Sequence, residues 1–338
     1  MTRVDLVIPN FEGAHLLDDC LAAVAVQTLE PARVLVVDDG STDDSRAVVA
    51  RHSGVEWLPL GENRGFPAAV NAGIAASTAP LVALLNTDAL PEPGWLEALV
   101  GALDADVTIS LGASRMRFPD GTVNAVGDSF DVRGRGGYNR GLHEPDGPQF
   151  DEPRIVFGAC AGAAIYRRSL FADIGLFDEA FTLSWEDVDL DLRALLAGHR
   201  CLYVPDAVVQ HAQGSSSGAS RLALERRNKA WLALRGLPAP LLVPFLALVP
   251  LREAYEARVA REGIRGWLRR LEPFVREAPR AVRWRRTVSR RVPVRELLPL
   301  LSSETLPYEA AMASSSRQNA RNASASREGS REAGRTST

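Results

Sequence analysis

The sequence of 338 residues predicts an α/β protein in which a mostly parallel central sheet is flanked by helices, followed by a C-terminal helical extension. Short apolar runs recur between residues 4 and 85, and Asn, Asp or Gly follows most of them. The segments between these runs place their apolar residues at helical spacing. Buried strands that alternate with amphipathic helices indicate βαβ units and a parallel sheet.

The first half of the chain carries the clearest elements. Strands are predicted over residues 4–8, 33–37, 55–58 and 81–85. Helices are predicted over residues 15–26 and 68–76, and one more begins near Ser41 or Thr42, which are favourable N-caps. In such a sheet, ligand chemistry is expected at the carboxyl ends of the strands.

The second half is less regular. Residues 112–153 are rich in Gly, Asp, Arg and Pro and predict loops with short strands, placed to cover a site. A strand over 162–166, a helix over 186–196 and extended segments over 201–204 and 207–210 follow. From Arg221 onward helical patterns dominate, interrupted by Pro238, Pro240, Pro244 and Pro250. We expect a main domain over 1–235, a helical, Arg-rich extension over 236–311 and a disordered low-complexity tail over 312–338.

Composition excludes several classes of protein. With 46% hydrophobic and 24% charged residues, the chain is not disordered throughout. No stretch has the ~20 apolar residues of a transmembrane helix, and the first residues lack a signal-peptide core. Cys20, Cys160 and Cys201 fit neither a disulfide framework nor a zinc motif. The expected location is therefore the cytoplasm.

Charge is distributed unevenly. Residues 1–251 carry 20 basic and 32 acidic side chains, whereas residues 252–295 carry 14 Arg and 5 Glu. Arg alternates there with Trp and aliphatic residues, which is typical of an amphipathic helix at the inner face of an anionic membrane. A helical cap that packs on the body predicts the same composition equally well. Nucleic acid is not a predicted partner, because no binding motif accompanies the charge.

Polar residues that end the first two strands are suited to a nucleotide pocket. Phe11, after Pro9 and Asn10, can stack on a base, although it can equally cover the core. Asp38 and Asp39 can accept hydrogen bonds from a base or a ribose, although Asp-Gly-Ser-Thr-Asp is also an ordinary strand-to-helix turn.

Two further positions carry candidate metal ligands. Asn86, Thr87 and Asp88 follow the fourth apolar run, where a carboxylate can hold a divalent cation together with nucleotide phosphates. The alternative is a turn aspartate. His211, at the end of the last extended segment, is a candidate for a metal or phosphate contact, although a single His is more often structural.

An acidic cluster opens the helix predicted at 186. Glu186, Asp187, Asp189 and Asp191 alternate with apolar residues, so they cannot all face water. Asp187 and Asp191 share one helix face. A partly buried acid beside other acids has a raised pKa, which suits a general base. A solvated N-terminal cap is the alternative interpretation.

Taken in order, these motifs resemble family 2 inverting glycosyltransferases of the GT-A fold, especially their rhamnosyltransferase-like branch. The resemblance covers about residues 3–235 and rests on motifs that recur in the family's order: Val7-Ile8-Pro9-Asn10-Phe11, Cys20-Leu21 with Gln27-Thr28, Val36-Val37-Asp38-Asp39-Gly40-Ser41-Thr42-Asp43, Asn63-Arg64-Gly65-Phe66 with Asn71-Ala72-Gly73, Leu85-Asn86-Thr87-Asp88, Phe177-Asp178-Glu179, Trp185-Glu186-Asp187-Val188-Asp189-Leu190, and Val204-Pro205 with His211.

The resemblance implies a role for each matched position. A nucleotide-sugar donor would be bound by Pro9, Phe11, Asp38, Asp39, Arg64, Gly65, Asn86, Thr87 and Asp88. Asp88 would be the chief ligand of Mg²⁺ or Mn²⁺, with His211 completing the metal or pyrophosphate site. Asp187 would be the catalytic base, with Glu186 orienting it or the acceptor. The acceptor would be a polysaccharide or lipid-linked glycan, and the sugar rhamnose or a related hexose.

The sequence departs from the family at one metal position, because Asn86 replaces the first acid of the D-x-D motif. Metal dependence is therefore expected to be weak. A non-catalytic nucleotide-sugar-binding module is the alternative function. A dinucleotide dehydrogenase is disfavoured because no G-x-G-x-x-G follows the first strand.

Overall fold

The computed structural model describes residues 1–132, 136–182, 184–212, 219–301 and 306–307, with side chains except at 219–223 and 306–307. The predicted tail over 312–338 and the last residues of the predicted extension, 308–311, lie outside the described residues.

The fold is a central sheet flanked by helices. The described strands of this sheet are β1 (Val4–Asn10), β2 (Arg33–Asp38), β3 (Val55–Pro59), β4 (Leu81–Leu85), β5 (Ala89–Pro91), β6 (Ile109–Arg117), β7 (Val123–Val126), β10 (Arg154–Val156), β11 (Ala163–Arg167), β12 (Arg200–His211) and β13 (Leu306–Pro307). A separate two-stranded ribbon consists of β8 (Asp128–Asp131) and β9 (Gly136–Asn139).

The described helices pack on both faces of the sheet, and the last five follow β12 in the chain. They are α1 (Ala14–Ala25), α2 (Ser45–Val49), α3 (Phe66–Ala76), α4 (Trp95–Ala105), α5 (Arg168–Ile174), α6 (Glu186–Ala197), α7 (Ala219–Gly236), α8 (Ala239–Val259), α9 (Gly263–Arg276), α10 (Ala278–Trp284) and α11 (Val294–Leu297). None of the helices in the described part of the chain is long and apolar enough to cross a bilayer.

Strand order confirms the predicted parallel half. The main sheet runs β13-β10-β12-β6-β11-β4-β1-β2-β3, with β5 beside β12 and β7 beside β6. Strands β4, β1, β2 and β3 are parallel neighbours. The antiparallel β11 separates them from β6, which pairs in parallel with β12. The carboxyl ends of β1, β2 and β4 therefore meet at one edge.

Two local predictions differ from the structure. The helix expected near Ser41 begins at Ser45, because Ser41 Oγ instead accepts hydrogen bonds from Asn10 Nδ2 (3.2 Å) and the Glu12 N–H (2.9 Å). Pro244 and Pro250 do not end a helix but lie inside α8. The packing of the buried α8 residues Leu241, Phe245 and Val249 on the core offsets the backbone hydrogen bonds that proline removes.

Candidate functional site

The ends of β1, β2 and β4 bring three of the predicted segments together. Asn10 Nδ2 donates to Asp38 Oδ1 (3.0 Å) across the ends of β1 and β2. Gly13 lies between Asn10 and Thr87: a Cβ there would overlap the Asn10 side chain and lie 3.5 Å from Thr87 Oγ1. A close approach of this kind requires glycine. The residues after the first, second and fourth strands thus share one site.

The two adjacent aspartates organise the loops around them. Asp38 Oδ2 accepts the Ser41 N–H (3.1 Å). Asp39 accepts the N–H groups of Arg64 (2.7 Å) and Gly65 (2.8 Å), one on each carboxylate oxygen. Both aspartates are buried. Asp39 therefore fixes the Arg64-Gly65 turn at the start of α3, a contact that sequence reasoning did not anticipate.

The other predicted donor-binding residues near the end of β1 differ in how exposed they are. Phe11 is 50% exposed at the tip of β1, so its ring does not cover the core. Pro9 is buried within β1 opposite Val37. Arg64 is half exposed, and its Nη2 lies 3.2 Å from Glu179 Oε2.

Asp88 and His211 lie together, as expected for a shared ligand set. The pairing of β5 with β12 places His211 opposite Ala89. His211 Nε2 is 3.1 Å from Asp88 Oδ1, at ion-pair distance but without hydrogen-bond alignment. The other ring nitrogen, Nδ1, lies 3.2 Å from Asn124 Oδ1. Within the described residues, Asn86 Oδ1 is buried and accepts no hydrogen bond.

Asp187 reaches the same site from the other half of the chain. Its Oδ1 accepts the Val188 N–H (2.8 Å), and its Oδ2 lies 3.5 Å from the Ala161 nitrogen. The next residue, Gly162, accepts the Asn86 N–H on its carbonyl (2.8 Å). Asn86 and Asp187, 101 positions apart, therefore contact consecutive residues of one turn.

Asp187 and Cys160 are half-buried and lie beside the buried carboxyl groups of Asp128 and Asp191. The carboxylate oxygens of Asp128 and Asp187 and the Cys160 sulfur lie within 4.8 Å of one another. Asp128 also faces Asp191, against which Gly158 packs so closely that a Cβ would overlap the carboxylate. Burial raises the pKa of Asp187, and it raises the pKa values of Asp128 and Asp191 well above the usual range of aspartate.

Asp189, another acid of the cluster, has structural partners. Asp189 Oδ2 accepts Arg193 Nε (2.8 Å) and Arg235 Nη2 (3.2 Å). Arg235 also pairs with Asp178 of the Phe-Asp-Glu motif and lies over the Trp284 ring, 4.9 Å from its centroid. This buried arginine of α7 clamps the start of α6.

The turn before Glu186 is held in an unusual conformation. Thr182, Ser184 and Trp185 have φ values of 50°, 63° and 74°, a region that residues other than glycine rarely occupy. Asn228 of α7, fully buried, donates through Nδ2 to the carbonyls of Phe181 (3.1 Å) and Ser184 (2.7 Å). These bonds stabilise the strained turn that presents Glu186 and Asp187.

Sequence reasoning missed Asp128, Asn228 and Arg235. Asp128 lies in a loop-rich segment without periodicity. Arg235 had a detectable signal, because it directly follows the apolar run Ala230-Trp231-Leu232-Ala233-Leu234. Asn228 had none, because it lies in the charged run Glu225-Arg226-Arg227-Asn228-Lys229.

Comparison with known proteins identifies the family. The sequence model described as "Glycosyl transferase family 2" matches residues 5–175. The chain belongs to glycosyl transferase family 2. It has the GT-A fold, and its relatives include proteins named rhamnosyltransferase.

Two curated relatives of this family 2 chain come from Mycobacterium tuberculosis. An N-acetylglucosaminyl-diphospho-decaprenol L-rhamnosyltransferase is 32% identical over 245 residues, which cover 64% of this chain and 78% of that protein. A pre-mycofactocin glycosyltransferase is 36% identical over 194 residues, 55% of this chain. The match spans only 38% of that longer relative.

A solved structure supports the fold. The mannosyltransferase PcManGT from Pyrobaculum calidifontis, in complex with GDP-Man and Mn²⁺, superposes with a TM-score of 0.54 at 19% identity. The superposition covers 85% of this chain and 84% of that chain.

Proposed function

We propose that this chain transfers a sugar, rhamnose or a related hexose, from a nucleoside diphosphate donor to a hydroxyl of a glycan or lipid-linked acceptor, with inversion. The observation that carries the proposal is the turn at Ala161-Gly162. Asp187 lies against the first residue and Asn86 against the second. An acidic side chain and the donor-binding edge of the sheet therefore border one site.

The donor would lie along the ends of β1, β2 and β4. Phe11, half exposed, offers a ring face for the base. Asp38 and Asp39 keep carboxylate lone pairs for a base N–H or ribose hydroxyl while they hold the Ser41 and Arg64-Gly65 turns. Pro9, being buried, would act by shaping the end of β1.

A divalent cation, Mg²⁺ or Mn²⁺, fits the residues beside the donor. Asp88 and His211 offer an oxygen and a nitrogen 3.1 Å apart, and the buried Asn86 Oδ1 lacks a hydrogen bond within the described residues. Such an ion, when bound, supplies positive charge that stabilises the leaving diphosphate. Asn86 contributes no charge, which supports weaker binding than in a two-carboxylate site.

Asp187 would be the general base. In its ionised form it takes the proton of the acceptor hydroxyl while that oxygen attacks the anomeric carbon and the nucleoside diphosphate leaves from the opposite face. Inversion follows from this single displacement. Glu186, buried at the N-terminus of α6, would orient the acceptor or Asp187.

Donor identity is tested with a panel of dTDP-, UDP- and GDP-sugars, read by thermal shift with and without Mn²⁺. One donor class should raise Tm well above the others, because a ligand that binds only the folded state stabilises it. Equal, negligible shifts across the panel would contradict the donor site.

The base is tested with Asp187→Asn. Transfer should fall by about 10²–10⁴-fold, the usual contribution of a general base. Calorimetric affinity for the donor should stay within a few-fold of wild type, because Asp187 borders the acceptor. Asp88→Ala is the contrasting variant and should weaken donor binding only when Mn²⁺ is present. An Asp187→Asn variant that turns over at the wild-type rate refutes the assignment.

A further inference from the structure

The inner surface of the C-terminal helices makes ion pairs and packing contacts. Lys229 Nζ pairs with Glu253 Oε1 (2.6 Å), and Arg270 Nε pairs with Glu262 Oε2 (2.8 Å). Phe245 packs into the main core. Within the Arg-rich segment, Arg285 Nη1 donates to the Leu234 carbonyl (2.7 Å) and Arg291 Nη2 pairs with Asp173 Oδ1 (2.6 Å). These arginines hold the extension on the body and are not available to a partner.

The outer surface of the α8–α9 hairpin differs. Arg258, Arg261, Arg265 and Arg269 are exposed, and none has a side-chain hydrogen bond or ion pair within the described residues. Elsewhere on the extension, Arg252 and Arg276 pair with Glu256 and Glu272, whereas Arg283 and Arg286 are exposed and likewise have no ion pair within the described residues. Four unneutralised guanidinium groups thus cluster around a single turn.

Large apolar side chains are exposed among these arginines. On α8, Leu251, Tyr255 and Val259 are 71%, 58% and 63% exposed and recur every fourth residue, so they share one helix face. On α9, Ile264 and Leu268 are 72% and 55% exposed at the same spacing. We call these five residues and the four arginines the hairpin face. Its two halves meet at the turn between Val259 and Ile264.

We propose that the hairpin face docks on an anionic lipid bilayer. Apolar side chains can enter the interface while guanidinium groups remain at the level of anionic headgroups. The net positive charge of the face favours a negatively charged surface over a neutral one. The acids beside it, Glu256 and Glu262, are already paired, the first with Arg252 and the second with Arg226 and Arg270, so they offer little complement to a second copy of the face.

The hairpin lies close to the candidate acceptor end of the site. A Cβ at Gly136 would lie 2.6 Å from the Trp185 ring and 3.6 Å from Lys229 Cγ, and Lys229 pairs with Glu253 of α8. Trp185 immediately precedes Glu186. Docking would therefore bring the site to a membrane-embedded acceptor. This consequence rests on the proposed function.

The test is co-sedimentation of the full chain with phosphatidylglycerol/phosphatidylcholine vesicles and with phosphatidylcholine vesicles. Wild type should bind the anionic vesicles at least about 10-fold more tightly, and binding should weaken in high salt. R258Q/R261Q/R265Q/R269Q should lose about 100-fold or more in affinity. L251S/I264S/L268S should also weaken binding. R3Q/R46Q, two exposed arginines outside the extension, is the matched control and should bind like wild type.

Equal binding to both vesicle types, or an unaffected four-arginine variant, overturns the proposal. Light scattering tests whether a second copy of the chain binds the face instead. If the wild type is a dimer that L251S/I264S/L268S dissociates, and it does not bind vesicles, the face serves self-association. Hydrolysis of the nucleotide-sugar in solution should be unchanged in both hairpin variants. Failure of docking is thereby distinguished from failure of the proposed transferase reaction.

Discussion

At the scale of single residues, the raised pKa of Asp187 sets the pH range in which it can act as a base. Burial raises the pKa of Asp187, so the base loses its proton only at a higher pH than an exposed aspartate. Since the proposed base acts when ionised, the acid limb of the kcat–pH profile should lie above the usual range of aspartate, about pH 4. A profile that stays flat down to pH 4 would contradict this role.

Asp128 allows a separate prediction about stability. Its pKa is raised well above the usual range, chiefly by burial and then by the charge of Asp187, so the folded state binds more protons than the unfolded state. Stability from this group is present at low pH and is lost as pH rises through the raised pKa. Asp128→Asn removes the group that ionises, so the variant should gain Tm over wild type progressively from pH 5 to pH 8.

The control for that measurement is Asp206→Asn, which changes an exposed aspartate. Its Tm difference from wild type should not vary with pH. Because Asn resembles the neutral carboxyl of Asp128, transfer at pH 7 should remain far above that of Asp187→Asn. A pH-independent Tm difference for Asp128→Asn would refute the buried-proton interpretation.

At the scale of elements, α6 and α7 act as a pair. Arg235→Met should destabilise the fold by about 3 kcal/mol, because it removes the cation that Asp178 pairs with and leaves the buried Asp189 with Arg193 alone. Chemical denaturation measures this difference. Arg276→Met, an exposed arginine of α9, should change stability by less than about 0.5 kcal/mol. Similar values for the two variants would show that the clamp contributes little.

Loosening the turn before α6 should lower kcat. Asn228→Ala removes the donor to the Phe181 and Ser184 carbonyls and should release the positive-φ conformation of Trp185. We expect kcat to fall more than donor affinity, because the turn leads directly into Glu186 and Asp187, whereas at the donor end its Thr182 packs against Gly65. The test is to measure kcat and the donor Kd of this variant together. Equal losses of kcat and donor affinity would indicate general unfolding.

At the scale of the whole molecule, the extension shares the core of the body. The family match ends at residue 175, and the division at residues 235 and 236 remains a prediction. Phe245 of α8 is fully buried in the main core cluster, with its ring 6.4 Å from that of Phe130. These contacts favour a single cooperative unit.

Phe245→Ala tests this unity. It should cost about 3–5 kcal/mol and lower the Tm of one common transition. Val243→Ala, on the exposed side of the same helix, is the matched control and should have little effect. Two separate calorimetric transitions, with only one shifted by Phe245→Ala, would show that the extension unfolds independently.

The sequence by itself determined the local elements and the family. The apolar runs before Asn10, Asp38 and Asn86 specify buried strands, and the polar residues that stop them mark the binding edge, because both signals lie within a few neighbouring residues. The order of motifs from Phe11 to His211 was enough to indicate a family 2 transferase. Local capping was less decisive: Ser41 binds Asn10 and does not start a helix.

Only the tertiary structure decided how these pieces meet. The pairing of Asp88 with His211, the contact of Asp187 with the turn beside Asn86, and the burial of Asp128 under it join residues tens of positions apart or more. The alternatives for residues 252–295, membrane binding or packing on the body, needed the same information: the structure shows Arg285 and Arg291 bound to the body, and membrane binding remains a proposal. Local sequence carries periodicity and turn chemistry, whereas charge proximity and desolvation depend on chain segments that only folding brings together.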